Sequence, residues 1–211
     1  DNVSPELEIK NVDTLIVKIF ELNTLNYYRD QVRELNTDVN LDGLVPNFER
    51  TLTYREPPQR KVLRRFEFPE LKGRGAWVID FIGNGKSSRV LVRKGRLRHL
   101  VRTGTAGHVF TVLDESANTV PDATIWLGGQ LYSADKAGSI HIPFTTSPAA
   151  QPLILVHNGF ASFDRFSHES ENYTFAAGIL VDRESLLGRR KARVVIRPSL
   201  SVNGTPVSVS M

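Results

Sequence analysis

Apolar and polar residues alternate along much of this chain, most clearly across residues 108–144. Three runs, 108–114, 118–129 and 133–144, repeat with a period of two. That period places successive side chains on opposite faces, as in strands buried on one side. Pro121 and Gly138 interrupt the runs where a sheet has to turn. Earlier in the chain, residues 7–22 carry two strands, the clearer being the β-branched run 14–22. The period then changes: Leu25, Tyr28, Val32 and Leu35 are spaced by three, four and three, which predicts one helix near 24–36 capped by Asn23 or Thr24.

Strand patterns resume at 51–54 and 62–68. A hairpin follows, with strands at 76–82 and 88–93 joined across Gly83, Asn84, Gly85 and Lys86; the Asn-Gly pair suits a tight reversal. One more strand, 96–102, leads into the small residues 103–107, which are the expected domain boundary. Beyond the three central runs, 145–152 reads as a loop and strands are expected near 153–157, 160–167 and 172–182. Residues 183–188 read as a single helical turn, 192–197 and 199–202 as strands, and Asn203-Gly204 as a turn. Short strands at regular spacing, without alternating helices, predict an all-β chain. The expected fold is two tandem antiparallel β-sandwiches with one short helical insertion in the first, spanning 1–103 and 104–211. The run from Pro206 to Met211 reads as a strand in progress, so the second sandwich is expected to be truncated and the chain to be a fragment of a longer polypeptide.

With 211 residues, 40% hydrophobic and 24% charged, the chain has the composition of a soluble globular protein. No apolar run approaches the roughly 18 residues that a spanning helix needs, so membrane insertion is not expected. The chain opens on Asp1 with no charged-then-apolar leader, as if a signal segment had been removed or never included. The absence of cysteine excludes disulfides, thiolate metal sites and cysteine nucleophiles. The net charge of +4 is unevenly spread: residues 86–102 hold seven Lys and Arg and no acid. Arg89, Arg93, Arg96 and Arg98 of this strip form a candidate binding surface for an acidic partner. No aromatic residue interleaves with them, which argues against nucleic acid.

One stretch has the spacing of a metal loop. Residues 38–49 fit the helix–loop–helix calcium pattern in every fixed position, with Asp38, Asn40, Asp42 and Glu49 as candidate ligands and Gly43 at the bend. Against it, the preceding helix carries its apolar residues at the wrong distance, the following segment prefers strand, and no second copy exists. The alternative is a helix-to-strand connection rich in Asp and Asn because those residues suit turns. Calcium is the only candidate cofactor. The five histidines form no paired metal spacing, no Gly-x-Ser-x-Gly elbow is present, and the glycine clusters lack a phosphate loop's spacing. Trp77 and Trp126 sit inside strand patterns and read as core. No catalytic residue is expected.

Two stretches resemble known families. Val112, Leu113, Asp114, then Val120 to Ala123, then Ala134 to Gly138 before Ile140 to Phe144, are similar to the immunoglobulin-like repeats of large extracellular proteins. The first half resembles the amino-terminal sandwich domains of bacterial alpha-2-macroglobulin-like proteins, through residues 7–22, Phe66 to Leu71, 75–81 and the basic strand to Leu97. That resemblance implies a non-catalytic scaffold segment of a secreted, periplasmic or cell-surface protein. Its implied partners are neighbouring domains of the same polypeptide or another extracellular protein; the alternative function, read from the basic strand 86–102, is a module that binds a glycan or another polyanion. The family's thioester needs a cysteine, which this chain lacks.

Overall fold

Sixteen strands, one α-helix and one 3₁₀ turn make up residues 2–189 and 191–208, the residues described by the computed structural model. The end of the run from Pro206, namely Val209, Ser210 and Met211, lies outside them. In chain order the elements are β1 (Glu6–Lys10), β2 (Thr14–Leu22), α1 (Thr24–Gln31), β3 (Phe48–Thr53), β4 (Lys61–Arg65), β5 (Gly75–Gly83), β6 (Lys86–Lys94), β7 (Arg98–Gly104) and β8 (Gly107–Leu113). They continue with β9 (Thr124–Leu127), β10 (Gln130–Ser133), β11 (Ser139–Ile142), β12 (Ala149–His157), β13 (Phe160–His168), β14 (Tyr173–Val181), the 3₁₀ turn (Arg183–Ser185), β15 (Val194–Val202) and β16 (Thr205–Val207). The fold is all-β with antiparallel sheets and a single short helix, as the alternation predicts.

The chain divides into two units. One gathers the residues up to Arg98 with Leu113–Asn118 and Ile154–Asp164; the other takes His99–Val112, Thr119–Leu153 and the residues from Arg165 onward. Residues 103–107, the expected boundary, include the turn between β7 and β8, which belong to one sheet in the order β11-β8-β7.

In the first unit the main sheet runs β3-β2-β5-β6, beside a two-stranded β1-β4 ladder. Leu15, Val17 and Ile19 point inward from β2 at alternate positions and meet Trp77, Ile79 and Phe81 of β5 and Phe66, Phe68 and Leu71 from the chain beyond β4. β5 is buried on both faces, so it reads as a nearly continuous apolar run instead of an alternating one. The β5–β6 turn uses Asn84 and Gly85 at φ 49° and 72°, the paired positive values that a twisted hairpin requires. Asn158-Gly159 and Asn203-Gly204 repeat this choice.

In the second unit His108, Phe110 and Val112 of β8, Ile125 and Leu127 of β9, and Ile140 and Ile142 of β11 are buried at every second position. Phe110 meets Phe166 of β13 edge to face, with ring centroids 4.9 Å apart. The chain's remaining sheets have the orders β10-β9-β12-β13 and β14-β15-β16.

The helix is shorter than its sequence pattern. Asn23 caps it, its side chain accepting from the N–H of Asn26 at 3.0 Å. It stops at Gln31 because Val32 takes a left-handed conformation (φ 52°), unusual for a β-branched residue. Leu35 is buried from the loop that follows and not from the helix.

Candidate interaction surface

The loop after α1 explains its own resemblance to a calcium site. Val39 and Leu41 are buried, while Asp38, Asn40 and Asp42 between and beside them are exposed. A strand-like alternation therefore spaces the polar residues at every second position. Asp38 Oδ2 accepts from Arg33 Nη1 at 2.8 Å, and Asn40 Oδ1 accepts from the N–H of Asp42 at 2.9 Å. Glu49 lies in β3 opposite Lys18, its carboxylate 3.7 Å from the ammonium. Among the described residues no group of three or more His, Cys, Asp or Glu is placed to hold a metal ion.

The basic strip splits by role. Arg89 faces Asp80 across the β5–β6 ladder, its Nε 3.6 Å from the buried carboxylate, and its Nη1 donates to the carbonyl of Val39 at 3.0 Å. Ser87 Oγ also donates to Asp80. Arg93 donates to Glu34 Oε1, the same oxygen that receives the Tyr28 hydroxyl at 2.9 Å. Burial above all pushes the Tyr28 phenol up to about 12, so it stays a proton donor to Glu34 at any physiological pH. Lys94 donates to the carbonyl of Leu71 at 2.7 Å. Arg89 and Arg93 thus hold the loop after α1 against the sheet. Arg96 and Arg98 are exposed.

A second surface is apolar, and the sequence reading placed its strands without seeing its face. The β14–β15 register pairs Tyr173 with Val202, Phe175 with Leu200, Ala177 with Pro198, Ile179 with Ile196 and Val181 with Val194. All ten residues share one side of the ladder, because partners opposite each other and residues two apart point the same way. Phe175 is 66% exposed, Ile179 67% and Ile196 61%. The odd-numbered apolar series 173–181 followed by the even-numbered series 194–202 was the signal that could have revealed it. Elsewhere, Leu7, Ile9, Val12, Leu15 and Phe81 line an open cleft of about 410 Å³ in the first unit. No helix of the described residues is long and apolar enough to cross a membrane.

Residues 15–95 match the family described as the AbpF first immunoglobulin-like domain. Over that stretch, less than half of the chain, it is similar to an immunoglobulin-like domain. Over 215 aligned residues, covering 99% of this chain, it is 40% identical to "Actin-binding protein F" of Dictyostelium discoideum. The chain spans 9% of that protein's length. No solved structure matches.

These findings correct two expectations. The bacterial alpha-2-macroglobulin resemblance has no support; the domain matched at β2 to β6 is immunoglobulin-like. The extracellular, periplasmic or cell-surface location is overturned, because the whole chain is similar to part of a protein named for binding actin, a filament of the cell interior. A glycan or extracellular partner is likewise unsupported.

Proposed function

We propose that this chain is a non-catalytic interaction segment of a larger actin-binding protein, built from immunoglobulin-like sandwiches over 1–103 and 104–211, with actin filaments as its partner. The observation that supports this most is the 40% identity to an actin-binding protein along 99% of the chain. The arrangement of side chains agrees with contact and not turnover. The strongest polar cluster, Tyr28, Glu34 and Arg93, is internally satisfied and holds a loop in place. Arg96 and Arg98 supply positive charge at the surface for an acidic filament face, which raises association rate and salt sensitivity.

Co-sedimentation of the 211-residue chain with filamentous actin tests the reading. The wild-type chain should pellet with filaments, and the double charge reversal Arg96→Glu, Arg98→Glu should weaken binding about tenfold, or ~1.4 kcal/mol. A circular dichroism spectrum unchanged by the reversal confines the effect to the surface. Pelleting that is absent, or indifferent to the reversal, counts against actin contact through these arginines.

A further inference from the structure

β14, β15 and β16 form a three-stranded sheet in that order. One side is wholly apolar across β14 and β15, and β16 adds Val207 opposite Leu200. Along β15 burial falls from Val202, 2% exposed, through the half-buried Leu200 to Ile196, whereas on β14 Tyr173, Phe175 and Ile179 are all exposed and Val181 is half-buried. The base is fixed by Asn203, whose N–H donates to Asn172 O at 2.9 Å and whose side-chain Oδ1 accepts from the Asn172 N–H at 2.7 Å. The reverse side of the same ladder is mixed: Arg197, Ser199 and Ser201 of β15 are polar, while Val195 and its partner Leu180 are exposed and apolar. A two- or three-stranded sheet with an uncovered apolar face is marginal alone and gains stability when a second layer closes over it. Uncovered apolar surface of this kind marks an interface.

We propose that β14–β16 is one layer of a β-sandwich whose second layer is an antiparallel sheet from a neighbouring domain of the same longer polypeptide. This rests on the reading of the chain as a segment of a larger protein. The aligned relative devotes less than a tenth of its length to this stretch, so in that protein the equivalent sheet stands within a long polypeptide. A tethered sheet acts at an effective concentration in the millimolar range for a short flexible linker, far above that of a second copy at micromolar concentration. The extended face of β-branched Val194, Ile196 and Ile179, with the aromatic Phe175, fits another sheet packed about 10 Å away.

Hydrogen–deuterium exchange on the full-length polypeptide tests it. Amides of 173–181 and 194–202 should be protected on the timescale of β5. The double substitution Phe175→Ser, Ile196→Ser should speed their exchange at least tenfold and release a second stretch outside residues 1–211, while β5 keeps its protection. Loop-like exchange of 173–181 in the wild type overturns the proposal. So does protection that grows with protein concentration, which would make the cover a second copy. Protection that appears only on adding actin filaments overturns it too, and assigns the face to the filament. Failure of the pelleting experiment with this protection intact would remove the actin contact and leave the sandwich layer standing.

Discussion

Asp80 stands on a strand buried on both faces, where Ser87 donates to one carboxylate oxygen and Arg89 Nε lies 3.6 Å from the other. Arg89 is therefore a structural residue before it is a surface charge. Arg89→Ala leaves a buried charge short of a donor and the Val39 carbonyl without its partner. It should lower unfolding free energy by about 1–3 kcal/mol, read as a lower urea midpoint at unchanged slope; an unaltered midpoint contradicts the assignment. His108 offers a residue-level test of a different sort. It is buried against Phe144 and Phe166, with His168 5.7 Å away and Glu169 beside it. Desolvation is the main cause that holds its pKa below 6.5, offset in part by Glu169. Since the unfolded chain protonates first, the unfolded state binds more protons as pH falls. The stability His108 contributes is complete above pH 6.5 and is lost as pH drops below it. Urea unfolding at pH 7.5 and 5.0 should show this loss, and His108→Phe should shrink the difference; an equal difference in both proteins contradicts it.

At the level of elements, turns constrain this fold as much as strands do. Gly107 opens β8 at φ 132°, and a Cβ there would meet the carbonyl of Ile142 and lie 2.8 Å from Pro143 Cα. Neither is a flexible side-chain end, so Gly107→Ala should cost about 2–4 kcal/mol in thermal or urea unfolding; a neutral result would show that the strands can part there. Where the sequence was legible, one face of a strand was buried: β8, β9 and β11 match the alternation residue for residue. It misled where a local signal had a second cause. Pro198 predicts a break between two strands, yet β15 passes through it, because before Leu200 that strand has a neighbour on one side only. Pro152 likewise lies inside β12. The helical spacing of Leu25, Tyr28, Val32 and Leu35 overran the helix, since Leu35 reaches the core from a loop. Polar residues at 38, 40 and 42 alternate with buried apolar residues at 39 and 41, which accounts for their spacing without a metal.

At the scale of the molecule, architecture was readable and lineage was not. The turn at 134–138 shows why. Asp135 accepts from the N–H groups of Ala137 at 2.8 Å and Ser139 at 2.9 Å, and Gly138 sits at φ 77° with Pro121 packed above it. Any sandwich that reverses direction there needs those residue types, so the motif identifies a geometry shared by many families. Compartment was no more legible, because the same sheets serve inside and outside cells. Two of the four candidate arginines meet internal carboxylates: Arg93 meets Glu34, distant in sequence, and Arg89 meets Asp80 across the β5–β6 hairpin. The open β14–β15 face was visible in principle but requires knowing which strands pair. The interaction role is tested most directly by a co-sedimentation isotherm of the wild-type 211-residue chain against increasing filamentous actin at two salt concentrations. Saturable binding that weakens as salt rises is the expected result; pelleting no greater with filaments than without them would contradict it.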